Sequence, residues 1–385
     1  MFLNKYILFS KKMLIFNMKL VCEQKDLLKG LVIASKAISS NNTLPILNNI
    51  LIKAEGQKLY FSATNLEIAV EYYINAEVKN EGTITIPSKI ITNYVNFLKD
   101  EKIELTSKES NLLIHSSSSD TEINGLPATE YPSIPKTEIT SQLKVKSEDL
   151  KQAIKKVVFA ASLSSTRPVL SGVYLNILGD ELKLVATDSY RLSEKKLKIE
   201  NKVEQEIKSI IPAKTVHELL RLIELEENLE EIEILNSSNQ ILFKIGNILL
   251  TSRLIEGVYP DYEQIIPKQT KTTIELNSDE FVLTLKRINL FAKENNNNIT
   301  LDVNTEGDLK ISTSVTQIGK EESVIKTEVQ GEENKIALNS QYLLDILNNL
   351  SDKEITLQIN EKINPIVVKT KKEEGFIHIV MPLKL

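Results

Sequence analysis

Three stretches of this chain repeat one another, and a chain that repeats folds as copies of one unit. They are Val21-Cys-Glu-Gln-Lys-Asp-Leu-Leu-Lys-Gly-Leu, Val145-Lys-Ser-Glu-Asp-Leu-Lys-Gln-Ala-Ile and Ile274-Glu-Leu-Asn-Ser-Asp-Glu-Phe-Val-Leu. Each reads as a short strand, a polar cap and an amphipathic helix of about four turns. In the second copy Ser147 stands at the capping position, and Leu150, Ile154, Val157 and Val158 form an apolar stripe at helical spacing. Ser278 takes the capping position in the third copy. About 65 residues further along, a second strand-cap-helix unit recurs as Ile86-Pro-Ser-Lys-Ile-Ile, Ile211-Pro-Ala-Lys-Thr-Val and Leu338-Asn-Ser-Gln-Tyr-Leu. Pro87, Pro212 and Asn339 are 125 and 127 residues apart, so the module is roughly 125 residues long and is itself a near-duplicate of a smaller unit. Proline suits a helix start because its missing amide hydrogen would have no partner there.

Between the helices lie period-two runs such as Lys58-Leu-Tyr-Phe-Ser-Ala, Glu181-Leu-Lys-Leu-Val-Ala and Asp308-Leu-Lys-Ile-Ser-Thr, each after a glycine-containing turn. They read as antiparallel strands. Polar, proline-bearing joints at Pro132–Thr140 and Pro260–Thr272 divide the chain into 18–137, 138–267 and 268–385. The expected fold is α+β: three repeated modules, each with two helices packed on antiparallel sheets. Residues 1–17 carry Lys11 and Lys12 inside an apolar run and no small-residue cleavage site, so they read as an upstream start or a disordered extension rather than a signal peptide.

Composition narrows the function. Cys22 is the only cysteine, so neither an intrachain disulfide nor a zinc site with paired thiolates can be built, and a reducing cytoplasm fits. The three histidines, His115, His217 and His378, share no metal-ligand spacing. No phosphate-cradling glycine loop, zinc-protease helix or nucleophile elbow occurs, and the acidic pairs Glu226-Glu227 and Glu230-Glu231 have no partner base nearby in sequence. We therefore expect no catalytic residues, no metal and no cofactor. An enzyme would need titratable groups converging on one cleft. A secreted adhesin would need a processed N-terminus and a disulfide framework or wall signal.

The formal net charge is −5, yet basic residues recur on the helices. Lys25, Lys29 and Lys36 lie on the first, Lys89 and Lys99 on the second, Lys151, Lys155 and Lys156 on the third, Lys214 and Arg221 on the fourth, and Lys286, Arg287 and Lys293 on the fifth. Taken singly they serve solubility. Taken together, equivalent helices turning basic faces to one axis would meet a phosphate backbone without reading sequence.

The segments Thr43-Leu-Pro-Ile-Leu-Asn-Asn-Ile, Arg167-Pro-Val-Leu-Ser-Gly-Val, Val185-Ala-Thr-Asp-Ser-Tyr-Arg-Leu, Tyr259-Pro-Asp-Tyr, Tyr342-Leu-Leu-Asp-Ile-Leu and Val380-Met-Pro-Leu-Lys-Leu, in that order, resemble the bacterial sliding clamp, the beta subunit of DNA polymerase III, from Met18 to Leu385. The resemblance implies that the chain is half of a closed ring, a head-to-tail cytoplasmic homodimer that encircles double-stranded DNA. Lys29, Lys89, Lys151, Lys155, Lys214, Arg221, Lys286 and Arg287 would face the DNA, and Leu290, Phe291 and Ile123 would lie at the dimer interface. A hydrophobic pocket would receive short motifs from the DNA polymerase III alpha subunit, the clamp loader, other polymerases and repair proteins. Matched residue by residue, its walls would be Arg167, Leu170, Thr187, Ser189, Tyr190, Arg191, Leu192, Pro260, Ile265, Asn339, Tyr342, Ile363, Pro365, Ile379, Val380, Met381, Pro382 and Leu383. Four positions depart from the family pattern: Asn41 for a DNA-touching arginine, Gln264 for a basic residue and Asn296 for a bulky one at the pocket rim, and Asp120 where basic residues face an acidic partner. The loader supplies ATP hydrolysis, so the resemblance implies no nucleotide site; beyond residue 17 no stretch reaches the roughly 20 apolar residues of a membrane span, so no membrane partner is expected.

Overall fold

The computed structural model describes residues 17–39, 44–99, 101–134, 138–164 and 166–384, the side chain of Asn201 excepted. The expectations for residues 1–16 and for Asn41 lie outside the described residues. The repeat is visible in the helices: α1 (Gln24–Ser35), α2 (Ser88–Phe97), α3 (Ser147–Val157), α4 (Ala213–Leu225), α5 (Ser278–Ala292) and α6 (Ser340–Leu347). Helices α1 and α3 have 12 and 11 residues, three turns rather than the four expected, while α5 has 15.

The helix starts differ from the sequence expectation. Ser147 and Ser278 are the first helical residues, not the caps. No side chain caps α3, and Asn277 caps α5 by accepting the Glu280 amide at 3.1 Å. In four helices the first amide instead donates to a main-chain carbonyl from elsewhere in the module: Gln24 to Glu101, Ser147 to Glu230, Ser278 to Lys353 and Ser340 to Asn297, at 2.8–2.9 Å. The fold thus satisfies a donor that would otherwise need a side-chain cap. Pro87 and Pro212 end strands and precede α2 and α4 by one residue.

The chain divides into two compact units, one taking in the first module with Lys244–Thr251 and the other Glu138–Phe243 with the chain from Ser252 onward. In the first unit, Glu77–Asn80, Lys19–Glu23, Lys102–Lys108, Asn111–His115 and Asp120–Asn124 form a five-stranded sheet in that order. Ile68–Asn75, Lys58–Thr64, Asn49–Glu55 and Gly82–Pro87 pair antiparallel in that order. Alternation along Lys58–Thr64 buries Leu59, Phe61 and Ala63, and α1 lies close on this strand. A Cβ on Gly30 would stand 2.4 Å from the Phe61 ring, so this helix approaches only because the residue is glycine.

The second unit holds the second and third modules, and the reason they cohere is one seven-stranded sheet. Its order is Gly172–Thr187, Arg191–Pro212, Phe376–Val380, Ile366–Thr370, Glu354–Ile359, Thr272–Asn277 and Glu328–Gly331. The joint is the pairing of Arg191–Lys195 with Phe376–Val380, in register Arg191 to Val380 and Leu192 to Ile379. Charged side chains reinforce it, since Lys156 and Lys195 both contact Glu373 and all three are largely withdrawn from solvent. A four-stranded sheet of Glu322–Lys326, Asp308–Ser312, Asn298–Val303 and Asn334–Asn339 completes the third module. Its core includes Phe281, Leu285, Ile288, Ile299, Leu301, Ile336 and Leu343. Among the described residues no helix is long and apolar enough to cross a membrane.

Candidate functional site

Several of the proposed pocket residues of the second unit meet at a tight turn, Thr187–Arg191, between the two longest strands. The Thr187 hydroxyl donates to the Arg191 carbonyl at 2.6 Å and accepts the Ser189 amide at 3.1 Å. The Asp188 Oδ1 atom accepts the amides of Tyr190 and Arg191, each at 2.9 Å. Ser189 adopts φ 79°, a left-handed conformation that a non-glycine residue keeps only when its surroundings fix it. The turn so held leaves Tyr190 59% exposed. Arg167, exposed after α3, donates from Nη1 to the Ser189 hydroxyl at 3.2 Å.

The C-terminal tail is fastened to this turn and to the third module at once. The Met381 amide donates to the Tyr190 carbonyl and the Leu383 amide to the Ala337 carbonyl, both at 2.8 Å. Helix α6 is capped by Asn339, whose Oδ1 accepts the amides of Gln341 and Tyr342 at 2.9 and 3.3 Å, while its Nδ2 donates to the Asn296 carbonyl at 3.3 Å. Asn296 itself adopts a left-handed conformation, φ 52°, a turn that asparagine tolerates well.

Burial separates the eighteen residues into two sets. Tyr190, Ile265 at 42% and Ile363 at 79% are exposed apolar groups, Arg167, Ser189 and Pro260 are exposed, and Asn339, Tyr342, Met381, Pro382 and Leu383 are half-buried. Leu170, Thr187, Leu192, Pro365, Ile379 and Val380 are buried. Leu170, Leu192 and Ile379 pack with Val185, Ile210, Tyr259 and Tyr262, whereas Val380 belongs to the core of the third module. These six therefore offer little surface of their own, and what they would add to the pocket is support behind the exposed set.

Arg191 also differs from a rim residue. Its side chain is only 11% exposed, and the guanidinium reaches Asp188 through Nε at 3.1 Å, Asp345 through Nη1 and the Phe159 carbonyl through Nη2 at 2.9 Å. It lies 4.7 Å from the Tyr342 ring centroid and 5.5 Å from that of Phe159. Burial, with Asp188 nearby, raises the Tyr342 phenol above its ordinary range. Asp188, Phe159 and Asp345 were not among the residues expected from sequence. Asp345 follows Tyr342 by three residues on a short apolar helix, which sets both on one helical face, and that spacing was the available signal.

The basic residues are placed less uniformly than expected. Lys89, Lys214 and Lys286 are exposed and form no ion pair among the described residues. Lys151 pairs with Glu148 at 3.1 Å, Lys155 with Glu224 at 2.7 Å, Arg221 with Glu218 at 2.5 Å and Arg287 with Glu321 at 2.8 Å. Lys29 is half-buried, its ammonium 6.0 Å from the Tyr72 ring centroid. Of the interface candidates, Leu290 is 62% exposed and Phe291 half-buried, but the Ile123 side chain is 6% exposed and turned into the first module's core. Its strand, Asp120–Asn124, is the end strand of the five-stranded sheet, so what it offers outward is backbone. Asp120 contacts His115 on the adjacent strand. Among the described residues no group of three or more His, Cys, Asp and Glu is placed to hold a metal ion.

Repeated α+β modules, two of them joined by one seven-stranded sheet and carrying a C-terminal tail fastened to the Thr187–Arg191 turn, define a modular scaffold. Family models describe the segments in turn: residues 18–135 match the N-terminal domain of the DNA polymerase III beta subunit, 144–261 its central domain and 263–384 its C-terminal domain. The beta sliding clamp of Synechocystis is 32% identical over 96% of this chain and all of that protein, and that of Bacillus subtilis 31% identical over 95% and all of it. The crystal structure of the Bacillus subtilis clamp superposes with a TM-score of 0.91 at 31% identity, covering 96% of this chain and all of that one. A Pseudomonas aeruginosa clamp bound to griselimycin superposes equally, 0.91 at 26% identity with the same coverage. The chain belongs to the DNA polymerase III beta subunit family, the bacterial sliding clamps, and its function is that of a processivity clamp in DNA replication.

Proposed function

We propose that the chain does its work without catalysing a reaction: two copies close into a cytoplasmic ring around duplex DNA, and the cleft of each copy tethers partner proteins by short apolar motifs. The observation that carries this reading is exposed Tyr190 on a turn whose carbonyl holds the Met381 amide of the C-terminal tail, with exposed Ile265 and Ile363 in the same unit. An exposed apolar group next to ordered main chain is what a leucine or aromatic anchor needs for docking, with Arg167 and Asn339 able to orient its backbone. The partners are the polymerase alpha subunit, the clamp loader, other polymerases and repair proteins. Contacts from Lys89, Lys214 and Lys286 to phosphates would be weak and screened, and a closed ring retains DNA by topology, so sliding stays fast.

The test is removal of residues 381–385, which takes Met381, Pro382 and Leu383 from the cleft. Each apolar anchor contributes roughly 2 kcal/mol or more. The truncated chain is expected to remain dimeric while losing, in fluorescence anisotropy, its binding of a labelled peptide of the glutamine-leucine-x-leucine-phenylalanine type. Full-strength binding by the truncated dimer would move the site elsewhere.

A further inference from the structure

We propose that Asp345 is a positioning residue for the cleft: through Arg191 it fixes Tyr342 and α6 against the Thr187–Arg191 turn, and so sets the geometry that a docked peptide meets. The inference rests on the peptide-docking reading. Two different supports hold the faces of the cleft. The tail is placed by main-chain bonds, Met381 to Tyr190 and Leu383 to Ala337. Helix α6 makes no strand pairing with the turn, and the polar link between them runs through the Arg191 guanidinium.

That link is built from charged groups with little solvent between them. Asp188 uses Oδ1 to shape the turn and Oδ2 to hold Arg191 Nε. Arg191 Nη1 reaches Asp345 Oδ2, and the other oxygen of Asp345 accepts Gln341 Nε2 at 2.7 Å. Gln341 in turn accepts Asn289 Nδ2 at 3.3 Å, and Asn289 accepts the Ser340 hydroxyl at 2.6 Å. A rotation of α6 would therefore break a charge-assisted bond and the stacking of Arg191 on Tyr342 together. The two carboxylates are not equivalent. Without Asp345, Arg191 keeps Asp188 and the Phe159 carbonyl, so the guanidinium stays compensated and the fold survives. Without Arg191, two carboxylates face each other with no cation.

Asp345→Asn is thus the informative change, because the amide keeps an acceptor for Gln341 while the charge that draws in Arg191 is gone. In the full-length dimer we expect it to weaken the labelled glutamine-leucine-x-leucine-phenylalanine peptide by about tenfold, within the range usual for coupled sites. The thermal midpoint should stay close to that of the parent. If Asp345 acts through Tyr342, then Asp345→Asn adds nothing further in a Tyr342→Ala background, whereas a general loss of stability would add in full. Parent-like binding by Asp345→Asn, with binding lost in Tyr342→Ala, overturns the positioning role and leaves the cleft standing. Additive effects of the two substitutions overturn it as well. Parent-like binding by both variants overturns the cleft itself.

Discussion

His378 holds its neutral form far into acid. It is fully buried in the strand that joins the second and third modules, its Nδ1 lies 2.6 Å from the Ser193 hydroxyl, and its Nε2 has no hydrogen-bond partner. Burial, with a smaller contribution from the Arg191 charge, pushes the imidazole down to about 3. The unfolded chain titrates this group near the ordinary histidine value, so between about pH 6.5 and 3 the unfolded state binds a proton that the folded state refuses. Stability is therefore lost as the pH falls, by about 1.4 kcal/mol per pH unit from this residue in that window. Urea unfolding at pH 6.5, 5.5 and 4.5 should show a steeper loss for the parent than for His378→Asn, and parallel slopes would mean that water reaches the ring. His115 runs the other way, since Asp120 raises its pKa; it favours the folded state below the ordinary value and loses that on alkaline titration. His115 is exposed, so solvent screens the effect. A lone histidine in sequence distinguishes neither case, because burial comes from strands far away in the chain.

At the scale of elements, the period-two and helical patterns located strands and helices well, and capping shows where they stopped. Both Asn277 and Ser278 are good caps by type, and only the main-chain geometry chooses between them. Asn277→Ala should cost about 1 kcal/mol, the usual loss for a helix N-cap, measured as a shift of the urea midpoint at constant slope. No loss would mean that the Lys353 carbonyl alone secures the start of α5. The residues of the proposed cleft sit in recognisable segments, Arg167 to Leu170, Thr187 to Leu192 and Val380 to Leu383. Which of them face outward was not legible there, because the register Arg191 to Val380 and Leu192 to Ile379 decides it, and that register pairs residues nearly two hundred positions apart. The same distance hid the role of Arg191, whose partner Asp345 follows it by 154 residues.

For the whole molecule, the repeat announced three modules, but it carried no information on the shared sheet that makes one unit of the second and third. The family resemblance, not the repeat, is what suggests α5 for assembly. Leu290 at 62% exposure is an apolar side chain that the isolated chain leaves in water, with half-buried Phe291 beside it. Arg287 on the same helix is already tied to Glu321 and Ser323. In a two-copy head-to-tail ring every interface residue acts twice, since closing the ring makes two identical contacts. Burying a leucine or phenylalanine side chain contributes roughly 1.5–3 kcal/mol. Replacing both Leu290 and Phe291 by alanine removes that contribution at each interface, a loss large enough to bring the dimer apart at micromolar concentration. The acidic Asp120 and Glu122 on the first module's end strand offer no basic side chains to compensate. Sedimentation equilibrium of Leu290→Ala/Phe291→Ala should find monomer that keeps the parent's circular dichroism and its cleft affinity for the labelled peptide. An undiminished dimer would place these two side chains outside the contact and leave the backbone of Asp120–Asn124 as the stronger candidate for closing the ring.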